Sequence, residues 1–133
     1  MKQPSFSISV ILPVYNEGEN IADTVAQAAS FLDGQPVINT HEIIVVDDGS
    51  TDETPGLLNS LCRRYPNLKT LRHDKNLGYG AALVSGIKQA VSDWVLLMDA
   101  DGQFKIDALL SMIPYLGQYD ILAGFRARRI DPL

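Results

Sequence analysis

The chain alternates short apolar, β-rich runs with segments whose apolar residues recur at helical spacing. The strand-like runs are residues 6–12, 42–46, 68–71, 94–98 and 121–123. After the first run, apolar residues recur at i, i+4, i+7 and i+11, on one face of a helix, at Ile21, Val25, Ala28 and Leu32. Strands that alternate with helices favour a parallel sheet. The pattern therefore predicts an α/β fold with about five strands flanked by helices.

Local signals indicate where several elements begin and end. Pro13 is expected to end the first strand, and residues 34–40 are expected to form a polar connection before the second strand. Thr51 or Asp52 is a suitable N-cap for the second helix, and Pro55 is tolerated in its first turn.

The second half of the chain predicts two more helices around one strand. Residues 94–98 are uncharged and predict a buried strand, and residues 106–116 predict a helix. The helix that begins near Gly78 is predicted to have an apolar side formed by Leu83, Val84, Ile87, Ala90 and Val91.

Polar residues follow the predicted strands at the points where they end. Because the carboxyl ends of parallel strands meet at one edge of a sheet, these residues are expected to form a single acidic site there. They are Asn16 and Glu17, Asp47 and Asp48, Asp99 and Asp101, and Arg126.

Two of these carboxylates, Asp99 and Asp101, are one residue apart. In an extended segment the side chains at i and i+2 point to the same side, so both carboxylates can converge on one cation, with the Gln103 carbonyl as a third ligand. Oxygen ligands suit Mg²⁺ or Mn²⁺, which commonly bridge substrate phosphates. An acidic turn after a strand is the alternative for this stretch.

Composition limits the class of protein. The 133 residues are expected to form one domain, residues 1–133, and a net charge of −5 argues against nucleic-acid binding. The single Cys62 excludes an internal disulfide and a cysteine-rich zinc site. The N-terminus has no signal-peptide pattern, and no apolar run approaches the roughly 20 residues of a membrane span, so the chain is expected to be cytoplasmic.

Several common motifs are missing from the sequence. There is no Gly-x-Gly-x-x-Gly after the first strand and no Walker A motif, which argues against a Rossmann dinucleotide site and a P-loop. His41 and His73 are isolated in the sequence, so surface or loop positions are expected for both and a nucleophilic triad is not.

The residues leave two kinds of chemistry open. Asp99 and Asp101 could hold a metal that neutralises the diphosphate of an activated donor. Alternatively, Asp99-x-Asp101-Gly resembles the nucleophile loop of haloacid-dehalogenase-type phosphatases, although Gln103 stands where that family has Thr or Val. In the first case Asp47 or Asp48 would accept hydrogen bonds from a base or a ribose, since carboxylates are acceptors.

Taken in order, four motifs resemble family 2 glycosyltransferases of the GT-A fold, which is Rossmann-like. The nearest members of that family would be the dolichyl- or polyprenyl-phosphate mannose and glucose synthases. The motifs are VILPVYNE at 10–17, IIVVDDGSTD at 43–52, NLGYGAA at 76–82 and LMDADGQ at 97–103.

The resemblance implies roles for particular residues. The nucleotide base and ribose pocket would comprise Pro13, Tyr15, Glu17, Asp47 and Asp48, and the donor would be approached by Asn76 and Gly78. The metal and diphosphate site would comprise Asp99, Asp101 and Gln103, with Asp99 also in contact with the nucleotide. Arg126 would lie near the acceptor phosphate, and the catalytic residues would be Asp99, Asp101 and Arg126.

The function implied is metal-dependent, inverting sugar transfer in cell-envelope glycan synthesis. The donor would be a GDP- or UDP-sugar, the metal Mg²⁺ or Mn²⁺, and the acceptor a polyprenyl or dolichyl phosphate at the membrane surface. A non-catalytic module that binds a nucleotide-sugar or a protein partner is the alternative.

The resemblance also implies that the chain is truncated at its C-terminus, because catalytic domains of the family are longer than 133 residues. A full-length protein would then be expected to associate with the cytoplasmic face of a membrane. An unfinished sheet edge would favour a homo-oligomer.

Overall fold

The computed structural model describes residues 5–102 and 105–123, which form a parallel four-stranded sheet with helices on both faces. The strands are β1 (Phe6–Val14), β2 (Ile38–Asp47), β3 (Leu68–Arg72) and β4 (Trp94–Leu97), in the order β3-β2-β1-β4. The helices are α1 (Ile21–Asp33), α2 (Thr54–Arg64) and α3 (Tyr79–Gln89). Two 3₁₀ helices follow, at Ile106–Ser111 and Ile113–Tyr115. The predicted α/β fold is confirmed.

The central strand is β1, which pairs in parallel with β2 on one side and with β4 on the other. Val10 and Leu12 pack into the main core with apolar residues of α1 and α2. Ile11 faces the opposite side and packs with Ile44 and Val46. All five side chains are fully buried, and each such burial contributes about 1.5–3 kcal/mol.

Helix α3 packs closely on the sheet through two small residues, Ala82 and Gly86, which are its buried positions. A Cβ atom placed on Gly86 would collide with the Cγ2 methyl group of Ile11 and lie 3.2 Å from the Cγ2 atom of Val46. The absence of a side chain at Gly86 therefore allows the helix to approach the sheet closely.

The apolar side predicted for α3 is wrong at three positions, and two of the five predicted residues, Ala90 and Val91, lie beyond the end of the helix at Gln89. Val84, Ile87 and Val91 are 50%, 44% and 78% exposed, whereas Leu83 and Ala90 pack against the core beside Ala82. Periodicity predicted that the larger apolar residues face the sheet. The helix instead packs on the sheet through the neighbouring face, where Ala82 and Gly86 are small enough to allow close approach.

Strand β4 is only half buried, contrary to the prediction of a fully buried strand. Trp94 and Leu96 pack against the main core, but Val95 and Leu97 are 37% and 44% exposed. Within the described residues β4 pairs only with β1, whereas α3 packs mainly against β1 and β2.

Pro13 does not end the first strand, since β1 continues to Val14. Pairing between β1 and β4 ends at Ile11 and Leu97, so the missing N–H of Pro13 costs no hydrogen bond of that ladder. On the other side Pro13 remains in register with β2, opposite Val46.

Other boundaries shift by a few residues. β2 begins at Ile38, inside the predicted connection 34–40. α2 begins at Thr54, and Asp52 accepts a hydrogen bond from the Thr54 N–H at 2.9 Å instead of occupying the N-cap position. Pro55 lies in the first turn of α2, as predicted.

The end of the described chain differs most from the prediction. The expected helix 106–116 is replaced by the two 3₁₀ helices, and Pro114, which has no N–H to donate, lies at the start of the second. The expected fifth strand at 121–123 does not form, and Ile121 is 85% exposed. In the part of the chain that the structure describes, none of the helices is both long and apolar enough to span a bilayer.

A buried carboxylate joins several elements at the amino end of the sheet. Glu42 accepts hydrogen bonds from Ser9 Oγ at 2.5 Å and from the Val91 N–H at 2.9 Å, and Lys69 Nζ lies 2.7 Å from its other oxygen. Burial by itself raises the pKa of Glu42, but the hydrogen bonds from Lys69, Ser9 and Val91 bring it below its ordinary value. The ionised carboxylate therefore stabilises the contact of β2 with β1, β3 and the α3–β4 loop.

We predict that Glu42→Gln lowers the free energy of unfolding by about 1–3 kcal/mol at pH 7, because a charged acceptor of several hydrogen bonds is lost. Since the pKa of Glu42 is lower in the folded state, its stabilising effect is present above the unfolded value of 4.5 and disappears as the pH falls below it. Urea unfolding at pH 7 and pH 3 measures both effects.

The exposed Glu19 provides the matched control, Glu19→Gln, for which we expect little change at either pH. A destabilisation by Glu42→Gln that is equal at both pH values would contradict a role for the charge.

Candidate functional site

The sheet brings the predicted site residues to one edge. In the strand register Val14 lies opposite Asp47, and Asp47 lies opposite Arg72. On the other side of β1, Ile11 lies opposite Leu97, two residues before Asp99. The loops after all four strands therefore begin at the carboxyl edge of the sheet, where open α/β sheets bind their ligands.

The loop after β1 carries Pro13, Tyr15 and Glu17. Tyr15 is 45% exposed, while Pro13 and Glu17 are partly buried. Glu17 is directed toward the start of α1, where its Oε2 accepts a hydrogen bond from Asn20 Nδ2 at 3.1 Å. The carboxylate of Glu17 is therefore already engaged within the loop.

Asn16 has a structural role that the sequence did not reveal. Its backbone adopts a φ of 52°, a left-handed conformation that Asn tolerates better than most residues. In this conformation Asn16 Oδ1 accepts hydrogen bonds from the N–H groups of Thr51 at 2.8 Å and Asp52 at 3.2 Å. The Asn16 N–H in turn donates to Ser50 Oγ at 2.9 Å. Asn16 thus joins the loops that follow β1 and β2.

Asp47 is buried, and only one of its oxygens makes a hydrogen bond among the described residues. Oδ1 accepts from the Ser50 N–H at 2.9 Å, whereas Oδ2 has no such partner and lies 3.9 Å from Arg72 Nη1. Arg72 also donates to the Ser50 carbonyl at 3.2 Å. A buried acceptor without a hydrogen-bond donor is costly unless a ligand supplies one.

Asp48 is also buried, but both of its oxygens are engaged by the protein. Oδ1 lies 2.7 Å from His73 Nδ1 and accepts from the Leu77 N–H at 2.9 Å, and Oδ2 accepts from the Gly78 N–H at 2.9 Å. Burial raises the pKa of Asp48, but the hydrogen bonds from His73, Leu77 and Gly78 bring it below its ordinary value. Asp48 therefore anchors the turn at the start of α3.

The prediction of a surface or loop position is met by His73, which lies in the loop after β3, but it is wrong for His41, which lies within β2. The His73 side chain is 12% exposed, and its Nε2 lies 2.8 Å from Ser85 Oγ. The His41 side chain is 9% exposed and lies 2.8 Å from Asp33 Oδ1. His73 does lie in a loop, directly after β3, and its place at the end of a strand is the one sequence signal that points to this edge.

Burial alternates along the segment that carries the two carboxylates after β4. Met98 and Ala100 are buried, while Asp99 is partly buried and Asp101 is exposed. The hydroxyl group of Tyr79, the first residue of α3, donates to Asp99 Oδ1 at 3.0 Å. Burial and the Asp99 carboxylate raise the pKa of Tyr79.

This arrangement is compatible with a magnesium or manganese site. Within residues 5–102 and 105–123 there is no group of three His, Cys, Asp or Glu side chains that could hold a metal. Mg²⁺, however, is usually held by one or two carboxylates together with substrate phosphates, and Asp99 and Asp101 provide such a pair. The third predicted ligand, Gln103, and the predicted acceptor residue, Arg126, lie outside the described residues.

Asn76 and Gly78 lie in the turn that leads into α3. Asn76 is exposed, and Gly78 precedes the helix with φ 104° and ψ 162°, a conformation that favours glycine. The same turn rests on Gly49, since a Cβ atom there would lie 2.6 Å from the Lys75 carbonyl carbon and 2.7 Å from the Asn76 nitrogen. The loop after β2 therefore supports the loop after β3 through direct backbone contact.

A separate cleft of about 260 Å³ lies between α1 and the first 3₁₀ helix. It is lined by Asn20, Asp23, Thr24, Gln27, Met98, Gly102, Lys105 and Ile106. It adjoins the loop of Asp101 but does not include Asp47, Asp48 or Asp99.

Residues 9–132 match the protein family described as Glycosyl transferase family 2. The chain is 35% identical, over 100 residues, to a dolichyl-phosphate beta-glucosyltransferase of Trichomonas vaginalis, covering 73% of this chain and 30% of that protein. It is also 34% identical, over 131 residues, to an undecaprenyl-phosphate 4-deoxy-4-formamido-L-arabinose transferase of Pectobacterium carotovorum. That match covers 96% of this chain and 39% of the relative.

The fold is similar to that of a solved mannosyltransferase from Pyrobaculum calidifontis, in complex with GDP-Man and Mn²⁺. The TM-score is 0.72 at 26% sequence identity, covering 84% of this chain and 32% of that one. The chain thus spans between 30% and 39% of the length of these relatives.

We predict that Gly49→Ala destabilises the protein by about 2–4 kcal/mol, because the φ of 83° and the contact with the Lys75–Asn76 backbone both oppose a side chain. Gly56→Ala is the matched control, since Gly56 lies in α2 and a Cβ atom there would meet none of the described residues within 4 Å. That substitution should raise stability by about 0.5–1 kcal/mol. Thermal unfolding of both variants measures the difference, and equal effects would argue against the close contact.

Proposed function

The chain belongs to glycosyl transferase family 2, and we propose that it is the nucleotide-binding part of a metal-dependent, inverting glycosyltransferase. Its donor would be a nucleotide-diphosphate sugar and its acceptor a polyprenyl phosphate. The observation that carries this proposal is the convergence of buried Asp47, at the end of β2, and Asp99, after β4, on one edge of the sheet.

On the nucleotide side, Asp47 is the best-placed acceptor for the donor. Its buried Oδ2 has no hydrogen-bond donor among the described residues, so an N–H of the base or a ribose hydroxyl would supply one. Pro13 and the exposed Tyr15 would line the adjoining wall, and Glu17 would border it. Asn76 and Gly78 would approach the donor through their backbone.

On the phosphate side, Asp99, Asp101 and Gln103 would hold Mg²⁺ or Mn²⁺. When bound, the metal would supply Lewis-acid stabilisation of the nucleotide-diphosphate leaving group. Tyr79 donates a hydrogen bond to Asp99 Oδ1, which orients this carboxylate before the donor arrives. Hydrogen-bonded partners of metal-binding carboxylates commonly have this orienting effect.

The proposed acceptor is supported by the names of the relatives, which specify dolichyl and undecaprenyl phosphates. An oxygen of such a phosphate monoester is already anionic near neutral pH, so it needs no strong general base. It would form a bond to the anomeric carbon as the bond from that carbon to the diphosphate oxygen breaks, and the nucleotide diphosphate would leave with the electron pair. In-line attack inverts the anomeric centre, and Arg126 would orient the lipid phosphate at the membrane surface.

We predict that the folded chain binds GDP or UDP and that chelation of Mn²⁺ weakens this binding at least tenfold, because the metal bridges the carboxylates and the diphosphate. Asp101→Asn should weaken nucleotide binding in the presence of Mn²⁺. The affinity of this variant should then be the same with and without a chelator. Isothermal titration calorimetry measures both, with Asp120→Asn as an exposed control. Absence of nucleotide binding by a folded sample would overturn the proposal.

We predict that sugar from the matching donor is transferred to a short polyprenyl phosphate but not to the corresponding alcohol. Arg126→Ala should raise the KM for the lipid phosphate about tenfold or more while donor affinity stays unchanged, since a charged hydrogen bond is lost. Arg63→Ala is the control, because Arg63 is exposed and its substitution removes the same charge elsewhere on the surface. Donor binding without transfer to any lipid phosphate would instead favour the non-catalytic module that the sequence left open.

A further inference from the structure

Three side chains from different elements form a continuous hydrogen-bonded chain beneath the site. Ser85 in α3 has its Oγ 2.8 Å from His73 Nε2, and His73 Nδ1 lies 2.7 Å from Asp48 Oδ1. The atoms are connected in the same order as in the Ser-His-Asp relay of serine hydrolases. This resemblance raises the question of whether Ser85 is a nucleophile or the end of a structural relay.

The surroundings of Ser85 favour a structural relay. Ser85 lies inside α3, between Tyr79 and Gln89, where backbone N–H groups donate to carbonyls one turn earlier. Such N–H groups are not available to stabilise an oxyanion, which nucleophilic catalysis by serine requires. The Asp48 end, in contrast, continues into further contacts with the protein.

The positions of the protons are set by Asp48. A carboxylate only accepts hydrogen bonds, so the contact of 2.7 Å between His73 Nδ1 and Asp48 Oδ1 places a hydrogen on Nδ1, which donates the hydrogen bond. In the neutral ring, Nε2 is then an acceptor for the hydroxyl proton of Ser85. The relay therefore runs from α3 through His73 to the end of β2.

Asp48 transmits this arrangement to the turn that begins α3. With its rotamer held by His73, its oxygens accept from the Leu77 N–H and the Gly78 N–H, each at 2.9 Å. The positive φ of Gly78 makes this turn conformationally demanding, and Gly49 supports it from below.

We propose that His73 and Ser85 are positioning residues, which hold Asp48 and, through it, the Leu77–Gly78 turn in the conformation that receives the donor. This inference rests on the proposed function, in which the same turn approaches the donor. It changes the expected role of Asp48 from a direct nucleotide contact to the anchor of the turn.

The experiment compares Ser85→Ala, which removes the hydroxyl group, with Ser85→Thr, which retains it. His73→Asn is the second test, because the shorter Asn amide can still donate to Asp48 but does not span the distance to the Ser85 hydroxyl that the imidazole ring covers. Ser60→Ala is the matched control, since Ser60 also lies in a helix and its hydroxyl donates within that helix, to the Gly56 carbonyl.

The first measurement is amide hydrogen exchange by NMR. In Ser85→Ala and His73→Asn we expect the Leu77 and Gly78 amides to exchange about fivefold to twentyfold faster, the effect of weakening one hydrogen bond. Amides of Val10 and Ile44 should be unchanged, which separates a local effect from global unfolding. Ser85→Thr should restore slow exchange.

The second measurement is the Kd for GDP or UDP with Mn²⁺. We expect Ser85→Ala and His73→Asn to weaken nucleotide binding about threefold to tenfold, with recovery in Ser85→Thr and no change in Ser60→Ala. Unchanged amide exchange at Leu77 and Gly78 in both Ser85→Ala and His73→Asn would overturn the proposal. Covalent labelling of Ser85 by a fluorophosphonate probe would also overturn it. If the wild type binds no nucleotide, the proposed function fails, while the exchange data still decide whether the relay holds the turn.

Discussion

The candidate site depends on the parallel pairing of β1 with both β2 and β4. This pairing buries Val10, Ile11 and Leu12 completely, so the central strand is fixed in register by apolar contacts on both faces. Because all three strands run in the same direction, their carboxyl ends open at one edge. Asp47 and Asp99, which are distant in the sequence, therefore lie at or just beyond the ends of the two strands that flank β1.

The neighbouring carboxylates Asp47 and Asp48 illustrate how this edge divides its tasks. Asp47 keeps one buried oxygen without a hydrogen-bond donor among the described residues, which is the property expected of a ligand contact. Asp48 uses both oxygens to hold His73 and the start of α3. In the proposed function, Asp47 therefore contacts the nucleotide, whereas the adjacent Asp48 holds the turn before α3 in place.

Much of the fold followed from local patterns. The helix from Ile21 and the first four strands could be predicted because their apolar periodicity and their flanking polar residues are local features of short segments. The apolar side of α3 could not, since the contact was decided by how closely Gly86 approaches Ile11. The prediction of a fifth strand at 121–123 was wrong for a related reason. A short apolar run forms a strand only where a neighbouring strand pairs with it.

The sequence by itself determined the α/β class, the acidic character of the strand ends and the family to which the chain belongs, because each of these is carried by residue type and spacing along the chain. The tertiary structure alone decided the place of His73. Its ring lies between Asp48 from one loop and Ser85 from a helix. No local sequence pattern indicates that these two residues contact the same histidine. Contacts between residues far apart in the sequence depend on the packing of whole elements, and this packing brings a histidine that is isolated in the sequence into contact with the candidate site.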